Sequence, residues 1–466
     1  MIRLYIMLNN RRRFVFSAAM AAVFVPLVGG ANALALLPPY KVRCVPNHTI
    51  NSNCTATDYA TIQAAVTAAS SGDIILVAPG TYTESVTIDQ TGGHNRNNLS
   101  LLGAQAGNDA RVDRHDPKKE SIVDATGKGN SAIIVSAQAV VIDGFTVQNG
   151  LQGNQAGIDL KGICSSGSCE YGGGPTPAGG AIVVNNIIQN NGLGIALDSE
   201  GYGGLVGVLI EHNLIQNNNA PTGDGIFTSI VQQAVITENE FSGNKCSAIG
   251  INNSSNVTIT NNTSEKDGSF VIFTGTTNAV FSQNRGEDFG AKGVLPGAGD
   301  AAVAVGPGNK YLVISDNWLE EGKDPVSNGI AFTNVFGSGT TNDQLYVKNN
   351  RIRRFPGTGI LAELYEGGTP AVGTLDFSVI LGNQLEDNGV DGIGIEYISP
   401  GGPYYINVGN ELFDNEAEGN QRFDCHDDTS GTGTLSTGNT WFHNTGNLNS
   451  PTGLCTPGRG HDHDWR

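Results

Sequence analysis

Two glutamates occupy the same position in two segments of similar sequence. Glu363 ends the segment Gly359–Glu363 and Glu396 ends Gly392–Glu396, and both segments begin with Gly-Ile. Side chains alternate between the two faces of a strand, so if the isoleucine points inward, the residue three positions later points outward. In stacked strands the two carboxylates would lie about 5 Å apart. Carboxylates this close can form an acid–nucleophile pair or bind calcium, so we predict catalytic and calcium-binding roles for both glutamates.

Basic and aromatic residues complete this predicted site. Arg354 or His426 could act as a base that removes a proton beside a sugar carboxylate, while calcium neutralises that carboxylate. The predicted substrate-binding residues are Tyr365, Tyr397, Thr333 and Asp424.

The same spacing predicts a whole column of outward-facing residues. It consists of Asp198, Ser229, Asn252, Gly275, Gly306, Thr333, Glu363 and Glu396, and is extended by Asp424 and His426. The acids gather in the later part of this column, which favours a functional site. The alternative stays open that these acids only keep a solvent-facing sheet soluble.

An internal repeat positions this column. Short β-branched runs end in asparagine again and again, at positions 186, 213, 239, 262, 284, 317, 350, 383, 410 and 439. Repeats of 22 to 33 residues with strand-length alternation predict a β-solenoid, in which each unit packs only on its neighbours. Asparagine suits the turns because it tolerates the left-handed conformation, and stacked asparagines can hydrogen-bond as a ladder. We therefore predict an all-β fold.

One amphipathic segment precedes the repeats. Ile62, Ala65, Val66 and Ala69 have helical spacing, so residues 58–70 are predicted to form a helix that covers the open end of the solenoid. This segment, together with Asp143–Asn149, resembles the cap and coil signature of right-handed parallel β-helix proteins, the pectate-lyase-like superfold. The resemblance implies a single domain of about 10 to 12 coils over residues 58–446.

The resemblance is specific for fold and not for reaction, because the superfold includes lyases, glycosidases, epimerases and adhesins. Catalytic signatures of polygalacturonases, mannuronan epimerases and extracellular pectate lyases are not matched. Arg354–Gly359, for example, has the first half of the pectate lyase motif and lacks its second arginine.

The N-terminus and the cysteines indicate export. Three arginines at 11–13, an apolar run and a small-residue site ending at Ala33 predict a signal peptide over residues 1–33, with an uncleaved anchor helix as the alternative. A cysteine-containing segment, 34–57, follows. Disulfides are predicted for the pairs Cys44–Cys54, Cys164–Cys169 and Cys425–Cys455, the last tying down a tail at 447–466. Cys246 would remain a free, buried thiol.

Composition restricts the function further. A net charge of −18 over 466 residues argues against nucleic acid as a partner. We expect a secreted or periplasmic monomer, without a membrane span once processed, that binds and cleaves acidic polysaccharide by lyase-type β-elimination, with calcium as the cofactor. Epimerase and glycoside hydrolase activities are related options. The alternative is a non-catalytic adhesion or carbohydrate-binding protein, and periplasmic metal delivery is a third.

Overall fold

The computed structural model describes residues 40–46, 59–90, 95–112, 114, 116–151, 155–161, 178–198, 205–219, 223–290, 301–323, 328–333, 341–363, 374–396 and 407–458. The predicted signal peptide, Cys54, Cys164, Cys169, Tyr365 and Tyr397 lie outside these residues. Within the described part of the chain, no helix has the length and apolar character needed to cross a membrane.

Three long parallel sheets form a single-domain, right-handed β-helix, as predicted. Each coil contributes one strand to each sheet in turn, and every strand pairs with the equivalent strand of the next coil. Twelve described coils supply strands to all three sheets, which agrees with the predicted 10 to 12. A solenoid of this kind is stabilised by contacts between neighbouring coils.

Sheet 1 has 14 strands. They are Val42–Val45, Ile74–Val77, Ser100–Leu102, Val141–Asp143, Ile182–Val184, Leu205–Glu211, Val231–Thr237, Val257–Thr260, Val280–Ser282, Val313–Ser315, Tyr346–Lys348, Val379–Leu381, Glu411–Phe413 and Thr440–Phe442. Sheet 2 has 12 strands. They are Gly80–Tyr82, Ser121–Asp124, Phe145–Gln148, Ile187–Gln189, Leu214–Gln216, Glu240–Ser242, Thr263–Glu265, Arg285–Phe289, Trp318–Gly322, Arg351–Arg353, Gln384–Glu386 and Glu416–Glu418.

Sheet 3 has 13 strands and carries the candidate site. They are Val86–Ile88, Ile133–Val135, Ala156–Lys161, Leu193–Asp198, Ile226–Ser229, Ser247–Asn252, Ser269–Thr274, Ala301–Val305, Asn328–Phe332, Ile360–Ala362, Asp391–Ile395, Phe423–Asp427 and Asn449–Ser450. A short pair, Asn342–Asp343 with Leu375–Asp376, and two 3₁₀ turns, Pro117–Lys119 and Thr434–Ser436, complete the described elements.

Buried aliphatic columns run along the inside of the solenoid. In sheet 3 one column contains Ile195, Ile226, Ile249, Val271, Val303, Ile330, Ile360 and Ile393, all with no measurable exposure. Phenylalanines fill the middle coils, where the rings of Phe270 and Phe281 meet edge to face at 5.1 Å between centroids. The inward direction of the isoleucine in each Gly-Ile pair is thereby confirmed.

An asparagine ladder runs through the turn between sheets 1 and 2. Each side-chain Nδ2 donates to Oδ1 of the asparagine one coil further on, at 2.9 to 3.1 Å. The ladder consists of Asn186, Asn213, Asn239, Asn262, Asn284, Asn317, Asn350, Asn383, Asn415 and Asn444. The first eight members confirm the prediction. The prediction is wrong for the last two members, which were expected at positions 410 and 439. Asn410 and Asn439 instead hydrogen-bond each other in a separate ladder.

A helix precedes the coils, as the sequence indicated. It extends from Ile62 to Ala68, shorter than the predicted 58–70, and buries Ile62, Ala65 and Val66. Thr61 caps its N-terminus by accepting from the backbone N–H of Ala64 at 3.1 Å. This short turn contacts the first strands of sheets 1 and 3, which is consistent with a cap at the start of the solenoid.

The described cysteines agree with the predicted pairing. Cys425 and Cys455 form a disulfide across 30 residues, with Cα atoms 6.2 Å apart. Cys44 is also disulfide-bonded. Cys246 is a free thiol that is partly buried.

Candidate functional site

The predicted outward column exists on sheet 3, with two changes. Backbone hydrogen bonds place Thr333, Glu363, Glu396 and Asp428 at equivalent positions on successive coils, since Glu363 N donates to Phe332 O, Glu396 N to Ala362 O and Asp428 N to Ile395 O. Asp428 therefore takes the place that was predicted for Asp424 and His426. Earlier in the column, Thr274 pairs with Asn252, so Gly275 does not belong to it.

Members of this column differ in exposure. Glu363 is exposed, the Glu396 side chain is 18% exposed, and Thr333 is buried at 3%. Two carboxylates on adjacent coils thus lie on the outer face as predicted, whereas Thr333 offers little surface for a substrate.

Asp391 forms the centre of a polar cluster on the same face. A Cβ atom added to the outward-facing Gly394 would lie 3.1 Å from Asp391 Oδ2, so this carboxylate is on the outer side of the sheet although the Asp391 side chain has no measurable exposure. Its carboxylate accepts from Arg422 Nε at 2.9 Å, Arg422 Nη2, His426 Nδ1 at 2.9 Å and the backbone N–H of Phe423 at 3.1 Å. Burial alone would raise the pKa of Asp391, but hydrogen bonds from Arg422 and His426 outweigh it and lower that pKa.

His426 lies between two carboxylates. Its Nδ1 contacts Asp391 at 2.9 Å and its Nε2 contacts Asp428 Oδ1 at 2.9 Å. Burial would lower the pKa of the imidazole, but its contacts with Asp391 and Asp428 outweigh burial and raise that pKa. Arg422 Nη2 also lies 3.1 Å from Nδ1, but a carboxylate faces each ring nitrogen, so the arrangement favours a protonated imidazolium.

Arg422 connects Asp391 to the predicted catalytic row. Its Nη2 donates to Glu396 Oε1 at 2.7 Å as well as to Asp391, and these hydrogen bonds raise the pKa of the guanidinium. The Arg422 side chain is 43% exposed, so the cluster has one guanidinium edge open to solvent. We call Asp391, Glu396, Arg422, His426 and Asp428 together the His426 cluster.

The ligand atoms of Asp391, Glu396 and His426 lie within 4.8 Å of one another, close enough for one ion. Calcium does not fit this trio, because it prefers several oxygen ligands and one member is an imidazole. Arg422 already supplies the positive charge that Asp391 and Glu396 need. Calcium between Glu363 and Glu396 stays a prediction.

Two other predicted site residues lie elsewhere. Asp424 points inward and is 1% exposed; its Oδ1 accepts from Asn420 and its Oδ2 from the backbone of Asn447 and Leu448. The prediction that it binds substrate is therefore wrong, because Asp424 lies at the position of Gly392, where an added Cβ would point at the buried Ala417 and Asn420. Arg354 follows the sheet 2 strand Arg351–Arg353 and forms ion pairs with Glu320 and Glu321. Neither of these partners belongs to the His426 cluster.

Sequence reasoning missed Asp391, Arg422 and Asp428. Asp391 occupies a position where neighbouring coils have Ala301, Asn328 and Thr358, so an acid there was the detectable signal. The prediction covered only residues that follow each isoleucine, and Asp391 precedes Ile393 by two positions.

Comparisons with known proteins identify the fold family of this chain. No curated protein matches the sequence. The catalytic unit of the GH87 alpha-1,3-glucanase from Streptomyces thermodiastaticus strain HF3-3 is similar in structure, with a TM-score of 0.52 and 14% identity over 84% of this chain and 63% of that one. This chain thus spans less than two thirds of that catalytic unit.

A mannuronic acid specific polysaccharide family 6 lyase from human gut microbiota is similar at a TM-score of 0.50 and 13% identity, over 80% of this chain and 81% of the lyase. At these identities the similarity concerns the fold alone. A family model described as "Right handed beta helix region" matches residues 126–304 and 222–369, together more than half of the chain. The chain therefore belongs to the right-handed β-helix family.

Proposed function

We propose that this protein is exported and that it binds and cleaves an acidic polysaccharide by β-elimination at the His426 cluster. The observation that carries the proposal is a pair of cationic groups, Arg422 and His426, held by carboxylates on the outer face of sheet 3. In a protein of net charge −18, a fixed guanidinium beside an imidazolium is a place where a sugar carboxylate can bind.

Two further observations support this proposal. The lyase of similar fold is specific for mannuronic acid, itself an acidic sugar, according to its description. The disulfide between Cys425 and Cys455 supports an oxidising compartment outside the cytoplasm.

Arg422 would bind the uronate carboxylate. Its Nη1 has no hydrogen-bond partner among the described residues, while Nε and Nη2 are held by Asp391 and Glu396. A guanidinium binds a carboxylate in a fixed plane, and neutralising that carboxylate makes the neighbouring C5 proton more acidic.

Glu363 is our candidate base and His426 our candidate acid. Glu363 is exposed on the coil next to Glu396, where it could take the C5 proton. The electron pair of the C5–H bond forms the C4–C5 double bond, the C4–O bond breaks, and His426 Nε2 gives its proton to the leaving oxygen. Asp428, whose side chain is 46% exposed, would release Nε2 to admit the substrate. This assignment replaces the expected base role of His426, because a protonated imidazole is a donor.

The test uses polymannuronate, polyguluronate and polygalacturonate with the full-length mature protein. Elimination requires that ultraviolet absorbance of unsaturated products and new reducing ends rise together on at least one of them. We expect His426→Gln to lower the rate by about 10²-fold or more, as for loss of a general acid. His443→Gln is the matched control, because the His443 side chain is exposed and pairs only loosely with Asp414 at 3.7 Å.

Other results would contradict the proposal in distinct ways. Reducing ends without unsaturated products would indicate hydrolysis. Polymer binding without any cleavage would support the non-catalytic alternative, and neither binding nor cleavage would refute both.

A further inference from the structure

Three aromatic side chains are exposed on successive coils of sheet 1. Tyr311 is 50% exposed, Tyr346 48% and Phe377 66%. Tyr346 begins a strand that pairs with Val313 on one side and Val379 on the other. Tyr311 and Phe377 each lie two residues before those partners, so the three residues form one group across three coils. We call this group the aromatic ridge.

Two members of the ridge have a backbone conformation that disfavours them. Tyr311 has φ of 56° and Phe377 has φ of 47°, at a turn position that is Asn278, Gln344 and Gly409 in nearby coils. Asparagine and glycine adopt the left-handed region at little cost, whereas a bulky side chain is strained there. Burial does not compensate the strain, since both rings are largely exposed. Leu435 shares this strain and exposure, so what distinguishes the ridge is that three exposed aromatic rings lie together on successive coils.

The ring of Phe377 is held in place by the next coil. A Cβ atom added to Gly409 would lie 2.6 Å from Cδ1 of the phenylalanine, so the ring rests directly on the glycine backbone. Any side chain at this position would displace the ring. One side of the exposed ring is thus already in contact with the protein, which limits the entropy lost on binding.

We infer that the aromatic ridge binds an extended polysaccharide chain by stacking against the faces of its pyranose rings, apart from the His426 cluster. Tyr311 and Phe377 are two coils apart, about 9.6 Å, which is close to the length of one disaccharide in an extended chain. Charge does not select the polymer here, because Lys310 pairs with Asp343 at 3.5 Å and Asp376 directly precedes Phe377; stacking alone carries the inference. The acidic character of the polymer rests on the proposed function, whereas the stacking does not.

The double variant Tyr311→Asn/Phe377→Asn tests the ridge without disturbing the turns. Asparagine suits the left-handed positions, so we expect the melting temperature to stay the same or rise. Affinity for pectate or alginate, measured by affinity electrophoresis in gels containing each polymer, should fall roughly tenfold. Leu435→Asn is the matched control, because Leu435 is also exposed, at 52%, with φ of 55°, and lies outside the ridge.

The result must be distinguishable from failure of the proposed cleavage. His426→Gln should lose cleavage while most of the polymer affinity remains, because the ridge is intact, whereas the ridge variant should keep cleavage of short oligosaccharides. Tyr346→Thr is a change on a regular strand and should weaken polymer binding by itself. This single variant provides the test if the double variant is destabilised. Unchanged affinity in these variants, or no polymer binding by the parent protein, would overturn the inference. A change of sedimentation coefficient without a change in affinity would do so too, because it would identify a second copy of this chain as the occupant.

Discussion

Replacing Asp391 with asparagine should lower the free energy of unfolding by more than the loss of an ordinary surface ion pair does. The carboxylate accepts from Arg422 Nε and Nη2, His426 Nδ1 and the Phe423 backbone. The asparagine side-chain oxygen can accept only some of these hydrogen bonds, and its NH₂ group, itself a donor, would face the N–H donors of Arg422 or His426. Loss of two charge-assisted hydrogen bonds costs about 1.5–3 kcal/mol each. Since the Arg422 side chain is 43% exposed, we take the lower end, about 3 kcal/mol.

The stability loss should depend on pH in a defined direction. The folded-state pKa of His426 is raised, so its contribution is complete below the unfolded value of about 6.5 and is lost as pH rises through the folded pKa. The folded-state pKa of Asp391 is lowered, so its contribution is present above about 3.9 and is lost as pH falls through the folded pKa. The difference between parent and variant should therefore be largest between about pH 4 and 6.5 and should narrow at alkaline pH.

Denaturant unfolding followed by tryptophan fluorescence is a suitable measurement. Trp441 is buried in the coil after the cluster, and its indole donates to Asp427, the neighbour of His426, at 2.7 Å. Asp414→Asn is the control, because Asp414 also pairs with a histidine but its side chain is 59% exposed. We expect the control to change stability by less than about 1 kcal/mol. If Asp391→Asn costs no more than the control, or if its cost is the same at every pH, the reasoning is refuted.

Three further predictions concern the ends, the core and the acids. Reduction of Cys425–Cys455 should remove about 3–4 kcal/mol and fray the C-terminal coils first, so limited proteolysis that starts in the middle coils would contradict it. Burial raises the pKa of Asp267 to about 7, so the charged form destabilises the fold as pH rises from about 3.9 through that value. Asp267→Asn should therefore raise the melting temperature at pH 8 and leave it nearly unchanged at acid pH, and equal shifts at both would count against this explanation. Glu363→Gln with Glu396→Gln should abolish cleavage and lower the unfolding free energy by about 1.5 kcal/mol or less, because Glu396 loses the charge of its hydrogen bond from the partly exposed Arg422; retained cleavage would exclude both acids from the reaction.

The sequence alone determined the fold because the fold is local and repeated. Each coil packs on its neighbours, so strand-length alternation, the Gly-Ile pairs and the recurring asparagines were sufficient to predict the β-helix and most of the ladder. The row that contains Glu363 and Glu396 followed from the same periodicity. The ladder prediction failed at positions 410 and 439, where variable turn lengths changed which asparagines are equivalent.

The tertiary structure decided how the polar residues meet. Strict alternation predicted Asp424 and His426 on one face, but the start of the strand departs from it. Asp424 lies at the inward position of Gly392, and His426 lies at the outward position of Gly394. The contact of Asp391 with Arg422 and His426 spans 31 and 35 residues. A period shows which strands stack, but side-chain contacts between coils depend on the exact length of every intervening turn. For that reason the column of outward-facing residues was predictable from the sequence, whereas the hydrogen-bonded ion pairs of the His426 cluster were not.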